Sequence, residues 1–256
     1  VRRPPPASRP SLWPRENGAT AQFLLPLATA LAISRPRLAA AAFAVCALAG
    51  FLAHEPVLIL LGRRGGRQRR ELAIPARRRL KELALLAIVT GLFGALRAPP
   101  AALLAGATTA LFVAVASLIL HAGREKTLVG ELFAAITLCA SSVPIALAGG
   151  APLTSAVAVA SSWATVFVLG TLTVHTLLQR IGGAAVVAVA VTAGVAGIAS
   201  ATYGHVLWPI GLVPPAIATA VLLLVRPGAK HLRRIGWSMV AADLGALLLF
   251  IVGLRA

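Results

Sequence analysis

The chain has 256 residues, 59% of them hydrophobic and only 12% charged, with a mean hydropathy of +0.89. A soluble domain carries about 25% charged residues, so half of the usual solvating surface is missing, which excludes an ordinary water-soluble domain. The net charge of +17 would suit a nucleic-acid partner, but the basic residues fill the gaps between apolar runs as membrane-flanking anchors do, so no nucleic-acid partner is expected.

From the N-terminus, residues 1–18 are rich in Pro and Arg and are expected to be a disordered basic segment, with 19–256 forming a single polytopic transmembrane domain. The first apolar run, from about Ala19, ends without an A-x-A-like site, which argues against a cleavable signal peptide. Crossing about 30 Å of hydrocarbon takes about 20 apolar residues. Apolar runs cut by charge, Pro or Gly give about nine such spans, near 19–34, 38–61, 79–97, 99–121, 127–149, 152–180, 183–202, 206–226 and 234–254. The expected fold is therefore an all-α membrane protein, a bundle of about nine transmembrane helices. Pro26 predicts a kink in the first span. Arg77-Arg78-Arg79-Leu80-Lys81-Glu82 makes the entry to the third interfacial, and the stretch Arg63 to Arg79 reads as a basic loop resting on anionic lipid headgroups. Alanine-rich spans permit close helix packing. Cys46 and Cys139 fall inside spans and far apart, with neither a disulfide framework nor a metal motif between them.

Basic residues also orient the chain. With the N-terminus in the cytoplasm, all of the 24 Lys and Arg residues except Arg35, Arg37, Arg97 and Arg255 fall on the cytoplasmic side. That asymmetry predicts a cytoplasmic N-terminus in a multi-pass protein of the cell membrane, the bacterial cytoplasmic membrane being expected.

An ionisable group at membrane depth costs about 2.5–3.5 kcal/mol on insertion scales and needs a reason. Those present are His54, Glu55, His121, Glu131, His175 and Asp243, with the polar Gln179 beside them, and each lies in the cytoplasmic half of its span. Together they suggest a polar chamber open to the cytoplasm and ringed by basic loops, suited to an anionic ligand whose tail lies in lipid. Arg15, Glu16, Asn17, Arg124 and Lys126 flank the same side and complete the set of candidate ligand-binding residues. Singly, each has a structural explanation as well: Glu131 near a helix start is stabilised by the macrodipole and by Arg124 or Lys126. No catalytic residue and no metal set is legible. His54-Glu55-Pro56 is not H-E-x-x-H, Gly65-Gly66 lacks the Lys-Ser/Thr of a phosphate loop, and no G-x-S-x-G occurs.

Trp13-Pro14-Arg15-Glu16-Asn17-Gly18-Ala19-Thr20, followed by Phe23-Leu24-Leu25-Pro26, resembles the opening of the YwiC-like membrane family, with Asn17 and Thr20 standing where that family has His and Trp. Phe51 to Pro56 and the run Gly123 to Leu132 are also similar to it, so the resemblance covers the first 150 residues best. A fainter similarity is to the UbiA-type prenyltransferases, carried by Arg124-Glu125-Lys126-Thr127 with Gly130, and by Lys230-His231-Leu232-Arg233-Arg234 with Ser238. That second resemblance implies nine helices, a chamber open to the cytoplasm and, if the chain is an enzyme, a prenyltransferase-like transferase. It also implies magnesium on two Asp-rich motifs, but His54 and Glu55, then His175 and Gln179, occupy those places without an aspartate. Whether a cofactor is used is not legible.

Three functions stay open on the sequence: a diverged prenyltransferase-like scaffold binding an isoprenoid or quinone-type ligand, a non-enzymatic assembly subunit of a membrane complex, and a proton-coupled carrier. The first predicts Glu16, Glu55, Glu131, His175 and Asp243 around one cavity. The third expects broken helices at mid-membrane and polar groups on the outer side, where this chain has few.

Overall fold

The computed structural model describes residues 12–13, 17–178, 183, 186, 208–226 and 232–255. All regular structure among them is helical: α1 (Asn17–Ile33), α2 (Leu38–Leu60), α3 (Gly66–Arg97), α4 (Pro100–His121), α5 (Leu128–Ala140), α6 (Ser142–Ala148) and α7 (Leu153–Leu177). A 3-10 turn (Trp208–Leu212) then leads into α8 (Val213–Val225), and α9 is Leu232–Arg255. Five helical stretches among the described residues are long and apolar enough to cross a membrane: α2, α4, the α5–α6 run Leu128–Ala148, α7, and Ile235–Leu254 of α9. Gly18–Ile33 and Ile210–Val225 are shorter apolar helices. The chain is thus built as a multi-pass membrane protein. Of the expected span 183–202, only Gly183 and Val186 are among the described residues.

Residues 66–79 correct the sequence reading. The expected basic loop Arg63 to Arg79 is helical from Gly66 onward, and α3 runs unbroken through Pro75 over its 32 residues. Arg, Gln, Glu, Leu and Ala are all good helix formers. Within this segment Arg67 pairs with Glu71 at 2.7 Å and Arg78 with Glu82 at 2.9 Å, both at i,i+4, a spacing that supports a helix and gives nothing to a loop. A hydropathy reading ends the span where charge begins, whereas a helix ends only where its backbone does.

α1 is the hub, packed against α2, α5, α6, α7 and α9, while α3 lies outside and packs chiefly on α2. Around α1, Trp163 of α7 is fully buried, stacks on Phe167, meets Phe250 edge-on, and donates its indole N–H to Thr29 Oγ1 at 2.9 Å. Such a bond satisfies a donor that has no water to turn to. Phe23 stacks on Phe51 at 4.7 Å, tying α1 to α2. The α5–α6 break has a definite cause. Pro144 has no N–H for the carbonyl of Ala140 four residues earlier, and Thr109 Oγ1 of α4 shares its proton between Ala105 O at 2.9 Å and that carbonyl at 3.3 Å.

Three helices end in one device. At Gly62, Gly123 and Gly150, with φ of 77°, 73° and 83°, the paired 6→1 and 5→2 backbone bonds of a Schellman motif close α2, α4 and α6. Arg63 lies across Gly123 and donates to the His121 carbonyl at 2.9 Å, and Arg37 lies across Gly150. A guanidinium at a helix C-terminus opposes the macrodipole. The second contact is accompanied by Arg35 N–H donating to Gly149 O. These links bring the 62–65 and 121–127 connections to one end of the bundle, and the 34–37 and 149–152 connections to the other.

Candidate functional site

The polar candidates cluster at the end that carries the arginine-rich start of α3. Burial sorts α2 there: Glu55 is 1% exposed while His54 beside it is exposed. Both carboxylate oxygens of Glu55 are taken by Arg64, from Nε at 2.9 Å and Nη2 at 2.6 Å, across the tight turn at Gly62. The bidentate fork suits a planar guanidinium. Arg64 was missed by the sequence reading, although a buried acid a few residues before a glycine cap and two arginines carries the signal for it.

A second pair forms between α5 and α7. His175 Nε2 lies 2.8 Å from Glu131 Oε2, with the histidine side chain 6% exposed and the glutamate 39%. Glu131 sits in the first turn of α5 and His175 in the last turn of α7, so Glu131 also complements its helix dipole. The partner of Glu131 is therefore His175, and not Arg124 or Lys126, which are exposed on the α4–α5 connection. That connection is locally specified: Thr127 caps α5 by accepting from Gly130 N–H at 3.1 Å and donates to the Arg124 carbonyl at 2.7 Å. A Cβ at Gly130 would fall on that same carbonyl. Thr127 and Gly130 thus shape the loop, a role legible only as a Thr three residues before a Gly at a helix start.

Asp243 differs from both. It lies on α9, which packs on α1 and α7, and is 6% exposed. Its Oδ1 is buried with no hydrogen-bond partner among the described residues. Its helical neighbours at three and four residues are apolar contacts: Met239 fits against Gly170 of α7, and Ala246 joins the core around Trp163. Arg15, Glu16 and Gln179 lie outside the described residues, and Asn17 opens α1.

Among the described residues, the members of the ring expected around one cavity have separate partners: Glu55 faces Arg64 and Glu131 faces His175, while Asp243 Oδ1 has none. The elements bearing them, α2, α5, α7 and α9, all pack against α1. Among the described residues no group of three His, Cys, Asp or Glu side chains is placed to share a metal ion.

A family model described as YwiC-like protein matches residues 13–146, from the Trp13 segment into α6. The chain belongs to the YwiC-like family. No curated protein and no solved structure matches it. The matched stretch of this YwiC-like chain holds the Glu55–Arg64 pair, the Arg63 cap and the Thr127 loop, while His175 and Asp243 lie beyond it.

Proposed function

We propose that this YwiC-like protein is a multi-pass protein of the bacterial cytoplasmic membrane, with about nine spans and a cytoplasmic N-terminus, that binds an isoprenoid or quinone-type lipid. The headgroup enters from the basic end and reaches Asp243 near the middle of α9, and the tail lies in the bilayer. One observation carries this reading: the buried Oδ1 of Asp243, without a partner among the described residues, on a helix packed against α1. An unsatisfied oxygen in a membrane helix costs stability, and such a cost is met where a ligand supplies the missing partner. A headgroup hydroxyl or a protonated ring oxygen is a partner of the right kind.

The magnesium implied by a prenyltransferase-like scaffold does not fit the residues. Both oxygens of Glu55 are on Arg64 and Glu131 Oε2 is on His175, which leaves, among the described residues, no carboxylate cluster of the kind Mg²⁺ takes, with its demand for several hard oxygens. The reading is accordingly a lipid-binding scaffold without a metal-dependent ionisation step. Asp243 in a helix packed against the hub also suits a proton-coupled carrier, but the outer end offers only Arg35, Arg37 and Arg97 as ionisable groups among the described side chains.

Binding of a prenyl diphosphate, a prenyl alcohol and a quinol to the purified protein in detergent, each with and without Mg²⁺, tests the proposal. The expected result is magnesium-independent binding of the alcohol or quinol, weakened about tenfold in Asp243→Leu through loss of one hydrogen bond. Binding of none of the three, or binding unchanged in Asp243→Leu, would sink it.

A further inference from the structure

One face of α3 is exposed along the whole helix. Positions 70, 74, 77 and 81 are spaced by three or four residues, and Arg70, Ile74, Arg77 and Lys81 are all exposed. The same spacing continues through 85, 88, 92 and 96, where Leu85, Ile88, Leu92 and Leu96 are 59–87% exposed. Residues three and four apart share a helix face, so a single stripe runs down the outside of the bundle, on the side of α3 away from α2. It is cationic in the first half of the helix and purely aliphatic in the second. From Leu83 to Leu96 there is no charge at all.

The cations on this stripe are uneven in what they already hold. Glu71 and Glu82, the acids of α3, are engaged by Arg67 and Arg78. Arg70, Arg77 and Lys81 have no ion-pair partner among the described residues. A shallow concavity of ≈ 430 Å³ lies between Ile74, Arg77, Arg78, Lys81 and Glu82, at the point where charge gives way to hydrocarbon. Trp13 stacks on Arg79 at 4.7 Å beside it, and amphipathic aromatic rings favour the headgroup level of a membrane.

We infer that this stripe is a binding site for one anionic phospholipid of the surrounding bilayer. The headgroup phosphate lies in the concavity between Arg77 and Lys81, and an acyl chain lies along Leu85, Ile88 and Leu92. Charge complementarity selects the headgroup, and the apolar continuation selects a lipid over a soluble phosphate. The site is separate from the proposed interior site, because α3 packs chiefly on α2 and presents this face outward. It replaces a diffuse attraction of a basic loop for the membrane surface with a defined register on a helix.

Native mass spectrometry of the purified full chain, titrated with phosphatidylglycerol and with phosphatidylcholine, reads the occupancy directly. The wild type should bind phosphatidylglycerol preferentially, and Arg77→Gln/Lys81→Gln should bind it about 30-fold more weakly. The charge-matched Arg69→Gln/Arg226→Gln, off the stripe, should stay within about threefold of wild type, since bulk electrostatics alone would treat the two pairs alike. Glycerol 3-phosphate should not compete, and Ile88→Ser/Leu92→Ser should weaken the lipid without restoring that competition. All these side chains are exposed, so an unchanged melting temperature certifies the fold of each variant. Equal binding of the two lipids, equal losses in the two charge-removing pairs, or competition by glycerol 3-phosphate would each overturn the inference. So would loss of an acidic protein from the membrane extract of Arg77→Gln/Lys81→Gln with phosphatidylglycerol binding intact.

Discussion

Two buried carboxylates on membrane helices should respond to neutralisation with opposite sign. Glu55 is 1% exposed and both its oxygens are held by Arg64, whose side chain is 16% exposed. Breaking a buried pair by removing one partner costs about 3–5 kcal/mol, and the partial access of Arg64 to solvent discounts this to about 2 kcal/mol for Glu55→Gln. Asp243 has, at Oδ1, no such partner among the described residues. Replacing it by leucine, which has the same branched shape, removes a buried unsatisfied oxygen and should stabilise by about 1–3 kcal/mol. At about 2–4 °C per kcal/mol, thermal unfolding in detergent should place Glu55→Gln about 4–8 °C below wild type and Asp243→Leu above it. Adding Arg64→Gln to Glu55→Gln should recover part of the loss, because the unpaired guanidinium is what makes the single variant costly. Destabilisation of Asp243→Leu comparable to that of Glu55→Gln would mean that Asp243 has a structural partner, and the reasoning that opens it to a ligand would fail. Together with the binding measurement, a variant more stable than wild type yet unable to hold the lipid is the signature expected of a functional acid.

Thr29→Val should lower stability by about 1–3 kcal/mol by leaving the buried Trp163 indole N–H without an acceptor, whereas Thr29→Ser should be close to neutral; the check is the difference in melting temperature between the two. Gly123→Ala meets both a φ of 73° and the Arg63 guanidinium 2.7 Å from the new Cβ, so it should destabilise by about 1–2 kcal/mol. Gly18→Ala, in α1 with nothing within 4 Å, should instead gain up to about 1 kcal/mol, and equal shifts would refute the role of the Arg63 cap. Thr109→Val should cost about 1 kcal/mol in the wild type but little in Pro144→Ala, which restores an N–H to the Ala140 carbonyl, a coupling that a double-mutant cycle reads directly.

Composition and apolar run length alone were enough to define a membrane protein and to place α2, α4, the α5–α6 run, α7 and α9 within a few residues of their ends. Nothing beyond length and hydropathy is needed for that, because a segment crossing hydrocarbon must satisfy its own backbone and so must be helical. The Trp13 to Pro26 and Gly123 to Leu132 segments also sufficed to point to the family. Tertiary structure decided the rest. That Glu55 meets Arg64, that Glu131 meets His175 rather than Arg124, and that Asp243 Oδ1 has no partner among the described residues depends on which helices pack around α1. Pairing across a bundle is set by packing between segments that are distant in the chain, and a linear reading of charge sees only its own helix. The arginine-rich start of α3 was misjudged for a related reason: hydropathy records where the membrane ends, while helix continuity follows propensity, i,i+4 pairs and the support of α2.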